Sequence, residues 1–158
     1  VLPRPDTIRL RPVERADLPT LFLHQLDAES CRMAVVRPRD RAAFNATWDK
    51  ILADPTVIAR AILADDTLVG SISCFKMDGL DSVGYWIDRA HWNRGIAGRA
   101  LALLLQEVTI RPLHAHAARN NVASIRVLER CGFRITRHQV SPETDRFPSC
   151  EEAILILD

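Results

Sequence analysis

The stretch Trp92-Asn93-Arg94-Gly95-Ile96-Ala97-Gly98-Arg99 brings glycines, small residues and arginines together where a polar turn gives way to a helical apolar stripe. A helix N-terminus carries unpaired amide N–H groups and the positive end of the helix dipole, so it binds phosphate without many charged side chains. Gly95 can take a positive φ at no steric cost, and the small Ala97 and Gly98 let an anion approach the backbone. Arg94 and Arg99 add attraction and a fork of donors that fits a phosphate. A lone G-x-x-G more often just starts and packs a helix. The turn also lacks the terminal Lys-Ser/Thr of a P-loop and the G-x-G-x-x-G of a dinucleotide fold, so the ligand must be read from the surroundings.

The elements that must hold this turn follow from hydrophobic spacing. Ile8 and Leu10 alternate with Arg9 and Arg11, which predicts a half-buried strand over 7–11. Leu18, Leu21, Phe22 and Leu26 have helical spacing over 17–26, and Asp40 is placed to cap a second helix that runs to about Ala53 on a stripe of Phe44, Trp48, Ile51 and Leu52. Residues 57–63, 67–75 and 82–87 are β-rich, with Asp65-Asp66 as a hairpin turn, and predict three consecutive antiparallel strands. From Gly95, the residues Ala97, Ala100, Leu101, Leu104, Leu105 and Val108 recur at helical spacing. A strand over 112–118, a helix over 122–130 stopped by Gly132, and strands over 133–138 and 153–157 complete the order β-α-α-β-β-β-α-β-α-β-β.

Composition narrows the function classes. At 158 residues, 47% hydrophobic and 26% charged, the chain reads as one packed α/β (α+β) domain over 1–158. A net charge of +1 gives no electrostatic case for binding DNA. Cys31, Cys74, Cys131 and Cys150 are far apart without short Cys/His ligand spacing, which argues against a metal site and suits free thiols in a reducing compartment. The opening Val1-Leu2-Pro3-Arg4-Pro5-Asp6 has no apolar signal region, and no apolar run reaches the ~18 residues of a membrane span. A cytoplasmic protein away from membranes is the expectation.

Context gives the turn its meaning. Gly84-Tyr85-Trp86-Ile87-Asp88 precedes it, Asn121-Val122-Ala123-Ser124 follows, and Leu128-Glu129-Arg130-Cys131-Gly132-Phe133 lies beyond. Together with Trp92-Asn93-Arg94-Gly95-Ile96-Ala97, these segments resemble the GNAT superfamily of acyl-CoA-dependent N-acetyltransferases. The likeness runs from Ile8-Arg9-Leu10-Arg11-Pro12 to the last strand and is narrower toward the branch containing ribosomal-protein N-terminal acetyltransferases. It implies a mixed, mostly antiparallel sheet of about seven strands, flanked by about four helices, with splayed parallel strands at a cofactor cleft. It further implies acetyl-CoA as cosubstrate, with the pyrophosphate on the backbone of Asn93, Arg94, Gly95, Ile96, Ala97, Gly98 and Arg99. Pantetheine would then pair along Trp86, Ile87 and Asp88. The acceptor would be a primary amine, on a protein N-terminus or a small molecule, and a homodimer is compatible with such a domain.

Acyl transfer to an amine needs a neutral nitrogen, a polarised thioester carbonyl and protonation of the leaving thiolate. The resemblance assigns the carbonyl to a backbone N–H near Trp86 and Ile87, and brings Asn121 and Ser124 to the coenzyme, with Ser124 able to relay a proton to sulfur. Read as residues alone, Asn121 and Ser124 suit a helix N-cap equally well. Relatives often carry a tyrosine as acid where this chain has Leu128, and Tyr85, the single tyrosine, reads as a packing or groove residue. Asp81 is either a base acting through water or, more in keeping with its neighbours, a turn residue after Gly79. His91 falls in a solvated turn, and His114 and His116 share one side of a strand, substrate-facing or hydrogen-bonded. Trp48 and Trp86 read as core and Trp92 as an anchor for the turn. Cys131 reads as a buried thiol, while Glu14, Asp17, Arg37, Arg39 and Arg41 stay unassigned near the expected acceptor side.

Overall fold

The hairpin turn Asp65-Asp66 shows how local chemistry sets the sheet. Both residues take positive φ (46° and 67°), the mirror-image turn geometry that matches strand twist and that aspartate tolerates. The turn joins β2 (Ile58–Ala64) to β3 (Thr67–Met77), and β4 (Leu80–Ile87) returns antiparallel, giving the three consecutive antiparallel strands expected. In this computed structural model, which describes residues 2–158, β1 (Ile8–Pro12), β5 (Leu113–Ala118), β6 (Arg134–Ser141) and β7 (Cys150–Leu157) complete a seven-stranded sheet in the order β1-β2-β3-β4-β5-β7-β6. Among these strands only β4 and β5 pair in parallel.

Five α-helices flank the sheet: α1 (Leu18–Gln25), α2 (Ala28–Ala34), α3 (Arg41–Ala53), α4 (Ile96–Glu107) and α5 (Val122–Arg130). The sequence reading expects about four and misses α2. That helix has only seven residues, too few for an apolar period to show, and it is held by a cap: the Asp27 carboxylate accepts from the Ser30 amide and hydroxyl, both at 2.9 Å. Asp40 caps α3 in the same way, accepting from Ala43 N–H at 2.8 Å.

Strand alternation divides the core between two layers. Ile62, Val69, Ile72, Leu113 and Leu155 pack with Ala100, Leu101 and Leu104 of α4 and Leu128 of α5 on one face. Ala59 and Ala61 pack with Leu18, Leu21 and Phe22 of α1 and Phe44 and Trp48 of α3 on the other. At about 1.5–3 kcal/mol for each large apolar side chain removed from water, these two layers supply most of the driving force that holds β4 in place between them. Asp17 joins this frame: it receives both Arg11 guanidinium nitrogens at 2.7 and 2.8 Å and the Glu14 amide at 2.8 Å, and its carboxyl is held below the usual range by that arginine. Its role is therefore to tie β1 to the start of α1. Among the described residues no helix is long and apolar enough to cross a membrane.

Candidate functional site

The turn before α4 is built by backbone conformation. Asn93 and Gly95 both have positive φ (62° and 72°), and Gly95 caps a helix whose first amides point back toward the turn. A β-carbon placed on Gly98 would meet no heavy atom of the described residues within 4 Å, which leaves room over the helix start. Trp92 anchors the turn through its indole N–H, which donates to the Ile87 carbonyl at 2.9 Å, while its ring packs against the larger core layer. The anchor is thus to the end of β4.

Arg94 and Arg99 are engaged elsewhere. Arg94 is buried and donates to the Pro3 carbonyl at 2.6 Å and lies against the His91 ring nitrogen. Arg99 donates to the carbonyls of Pro5 at 2.8 Å and Asp6 at 3.1 Å. Both side chains hold the N-terminal segment against the turn, and what the turn offers an anion is its amides and their dipole.

Beside the turn, β4 and β5 share a single registered pair, Ser82 with His114, and then part. Trp86 and Ile87 lie past that point, with β3 alone paired to them. Gly70 makes that pairing close: a β-carbon there would sit 2.1 Å from the Trp86 carbonyl oxygen. Asn121 caps α5, its Oδ1 accepting from the Ser124 amide at 3.3 Å, so the capping role is realised. Ser124 is partly exposed and its hydroxyl lies 2.8 Å from the Tyr85 hydroxyl, which is also 3.2 Å from the Ser124 carbonyl. Burial pushes the Tyr85 phenol up to about 12, so it stays protonated and serves as a fixed partner for Ser124. The structure therefore brings Tyr85 and Ser124 together, a pairing that residues 39 positions apart in sequence do not announce.

On the opposite face of β4 lies a cavity of about 170 Å³ between α1, α3 and the loop joining β6 to β7. Trp86 lines it, and the Trp86 indole donates to the His24 carbonyl at 3.2 Å. His24 also lines it and was missed from sequence, where it sits inside an apolar helical stripe. Burial lowers the His24 pKa, keeping the ring neutral at pH 7, with Nε2 3.8 Å from the Asp88 carboxylate and Nδ1 buried without a partner among the described residues. The same Asp88 oxygen lies 3.9 Å from His91 Nε2, so the latter is half-buried in a small His24–Asp88–His91 cluster and not in a solvated turn.

Other candidates resolve into structural contacts. Asp81 lies within β4, opposite Lys76 and 3.0 Å from its ammonium, two residues beyond the Asp78-Gly79 turn, so it is a strand residue and not the turn residue that the neighbouring glycine suggests. His114 Nδ1 is 3.3 Å from the Asp81 carbonyl, and His116 Nδ1 is 3.3 Å from Glu152, so both histidines are hydrogen-bonded to neighbouring strands. The Cys131 thiol is pushed up by burial and points at the Gly98 carbonyl, 3.7 Å away. Leu128, where a tyrosine acid would stand, is buried in the core. Among the described residues no group of three or more His, Cys, Asp or Glu could hold a metal ion.

Residues 7–134 match the family model described as "Acetyltransferase (GNAT) domain". Among curated proteins, Probable N-acetyltransferase YjcK of Bacillus subtilis (strain 168) is 33% identical over 78 residues, covering 44% of this chain and 43% of that protein. The chain thus spans less than half the length of the curated relative it matches. Spermidine N-acetyltransferase from Vibrio cholerae, solved with CoA and spermine, superimposes with a TM-score of 0.78 at 17% identity, over 94% of this chain and 95% of that one. Mycobacterium smegmatis RimJ, solved with CoA-disulfide, gives 0.77 at 20% identity over 95% of this chain and 81% of the other. The match covers the turn, the splayed strands and both helices that bear site residues, and the chain belongs to the GNAT acetyltransferase domain family.

Proposed function

We propose that this domain is an acetyl-CoA-dependent N-acetyltransferase that works by direct attack in a ternary complex. The observation that carries this reading is the convergence, along one parted strand pair, of the amide-lined turn at 93–98 with Trp86, Ile87 and the Tyr85–Ser124 hydroxyl pair. The amides of Asn93, Arg94, Gly95, Ile96, Ala97 and Gly98 cradle the pyrophosphate, whereas the Arg99 amide donates to the Gly95 carbonyl at 3.3 Å and closes the first turn of α4. The edge of β4 at Trp86 and Ile87, free of β5, pairs with the pantetheine arm together with Asp88 just beyond the strand, whose amide donates to the Val69 carbonyl at 2.8 Å, and Asn121 and Ser124 meet the coenzyme at the start of α5. Bound acetyl-CoA supplies an activated acyl group on sulfur.

The chain's own groups then divide the work. A backbone N–H near Trp86 and Ile87 polarises the thioester carbonyl, which matters most as negative charge develops on that oxygen. The amine nitrogen forms the new C–N bond, the C–S bond breaks, and the thiolate takes a proton from the Ser124 hydroxyl, which is oriented by Tyr85 and resupplied from solvent. The nitrogen gives its surplus proton to solvent. Four unpaired cysteines, among the described residues, suit work in a reducing cytoplasmic setting.

A second reading, a non-catalytic acyl-CoA-binding module, draws support from Leu128 at the acid position and from the engagement of Asp81 by Lys76. One experiment separates them. Acetyl-CoA at millimolar concentration should raise the melting temperature where adenosine and free phosphate do not, and incubation with a panel of amines and peptides should release CoA thiol. Stabilisation without release across the panel favours the module, and no stabilisation removes both readings.

A further inference from the structure

The cavity behind β4 has an unusual charge balance. Arg39 and Arg146 line it, and among the described residues no aspartate or glutamate does. Neighbouring arginines are answered: Arg37 faces Glu143 at 3.8 Å and the Thr144 carbonyl at 2.8 Å, and Arg41 lies over the Phe22 ring at 4.5 Å. The Arg39 side chain is paired with no carboxylate among the described residues, and Arg146 Nε is buried without a partner. Burial and the charge of Arg39 lower the Arg146 pKa to about 10, as expected for two guanidiniums lining one cavity, and Arg146 Nη1 donates to the Arg37 carbonyl, which holds the side chain while leaving Nε open. A buried donor left unsatisfied is costly, so the arrangement is improved by an anion that accepts from both.

The pair is also fixed in place before any ligand arrives. Gln25 of α1 clamps the Arg39 backbone, donating to its carbonyl at 2.9 Å and accepting from its amide at 2.8 Å. The β6–β7 loop that carries Arg146 is stitched to the same segment by the Arg37 amide, which donates to the Arg146 carbonyl at 2.8 Å. Phe44, Trp48 and Trp86 line the same cavity and give it an apolar wall. At about 170 Å³ the space suits one residue's worth of ligand and is smaller than the ~300–1,000 Å³ of drug-sized sites.

Building on the acetyltransferase reading, we propose that Arg39 and Arg146 form an anion clamp in the acceptor site. The acetylated amine then carries a carboxylate or similar oxyanion beside a small apolar body, as an α-amino acid or an acidic chain end does. Two guanidiniums grip such a group through parallel charge-assisted hydrogen bonds, and the same charges repel a polyamine.

The test compares matched acceptors with the whole chain: leucine against leucinamide, a peptide beginning with aspartate against one beginning with asparagine, and spermidine. The clamp predicts that kcat/KM for the anionic member of one pair exceeds that of its neutral partner by about 100-fold, and the pair that shows it identifies the source of the oxyanion. Arg39→Gln, a change at a side chain that anchors nothing else, should reduce that ratio below about tenfold. Neutral members turned over as well as their anionic partners in both pairs, or spermidine turned over better than either anionic acceptor, overturns the clamp while leaving the acetyltransferase reading intact. If no amine is turned over, calorimetry with acetyl-CoA present decides: binding of leucine or of the aspartate peptide without binding of its neutral partner upholds the clamp, and binding of both members of each pair alike, or of none, overturns it.

Discussion

The turn before α4 and the cavity under α1 and α3 lie on opposite sides of β4, and they are made in different ways. The turn uses consecutive residues and offers backbone amides, with its arginine side chains turned away to hold the N-terminal segment. The cavity gathers side chains from α1, α3, β3, β4 and two loops, and offers a specific set of charges and rings. A site made of amides accepts a ligand common to many proteins and tolerates changes of side chain. A site made of side chains from distant segments can change its ligand one residue at a time, which is where the individuality of this chain resides.

The comparison can be broken at several points. The largest effect is expected from Leu104→Ala, which empties a fully buried position of α4 and should cost about 2–5 kcal/mol in urea unfolding. The turn depends on that docking, so acetyl-CoA stabilisation should weaken with it. Gly95→Val places a β-branched residue at φ 72°, a strain of about 1–2 kcal/mol, and should weaken acetyl-CoA binding about tenfold by calorimetry while far-UV circular dichroism stays native. Unchanged affinity would mean that the turn is not the phosphate cradle.

A smaller effect follows from Tyr85→Phe, which deprives the Ser124 hydroxyl of its partner. Losing a hydrogen bond of about 0.5–1.5 kcal/mol should lower kcat two- to tenfold, with KM for acetyl-CoA unchanged in steady-state kinetics. The smallest concerns His24, whose pKa is lowered by burial. Its neutral form stabilises the fold fully above the ordinary value of 6.5, and that contribution is lost as pH falls through the lowered folded value, because the unfolded chain takes the proton first. His24→Asn should flatten the acid side of the melting-temperature profile, and a parallel profile would show that the ring does not titrate on unfolding.

The difference between the two regions also explains what the sequence made legible. Helix α5 was read to the residue, and α3 with its Asp40 cap and the β2–β3 hairpin nearly so, since each is set by spacing, a cap or a turn within a few residues. The turn at 92–98 was visible for the same reason. Helix α2 was not, being too short to show a period, and Asp81 was misplaced because glycine and aspartate crowd the turn just before it. The Tyr85–Ser124 pair, the buried His24 and the Arg39–Arg146 pair depend on contacts between segments far apart in the chain, which no local pattern carries.

Residue-resolved amide chemical shifts followed during an acetyl-CoA titration test the central assignment most directly. The largest perturbations should fall on the amides of residues 93–98, with further shifts at Trp86, Ile87, Asn121 and Ser124. Saturable binding that leaves the amides of 93–98 unmoved, with the perturbations gathered elsewhere, would contradict the placement of the coenzyme on this turn.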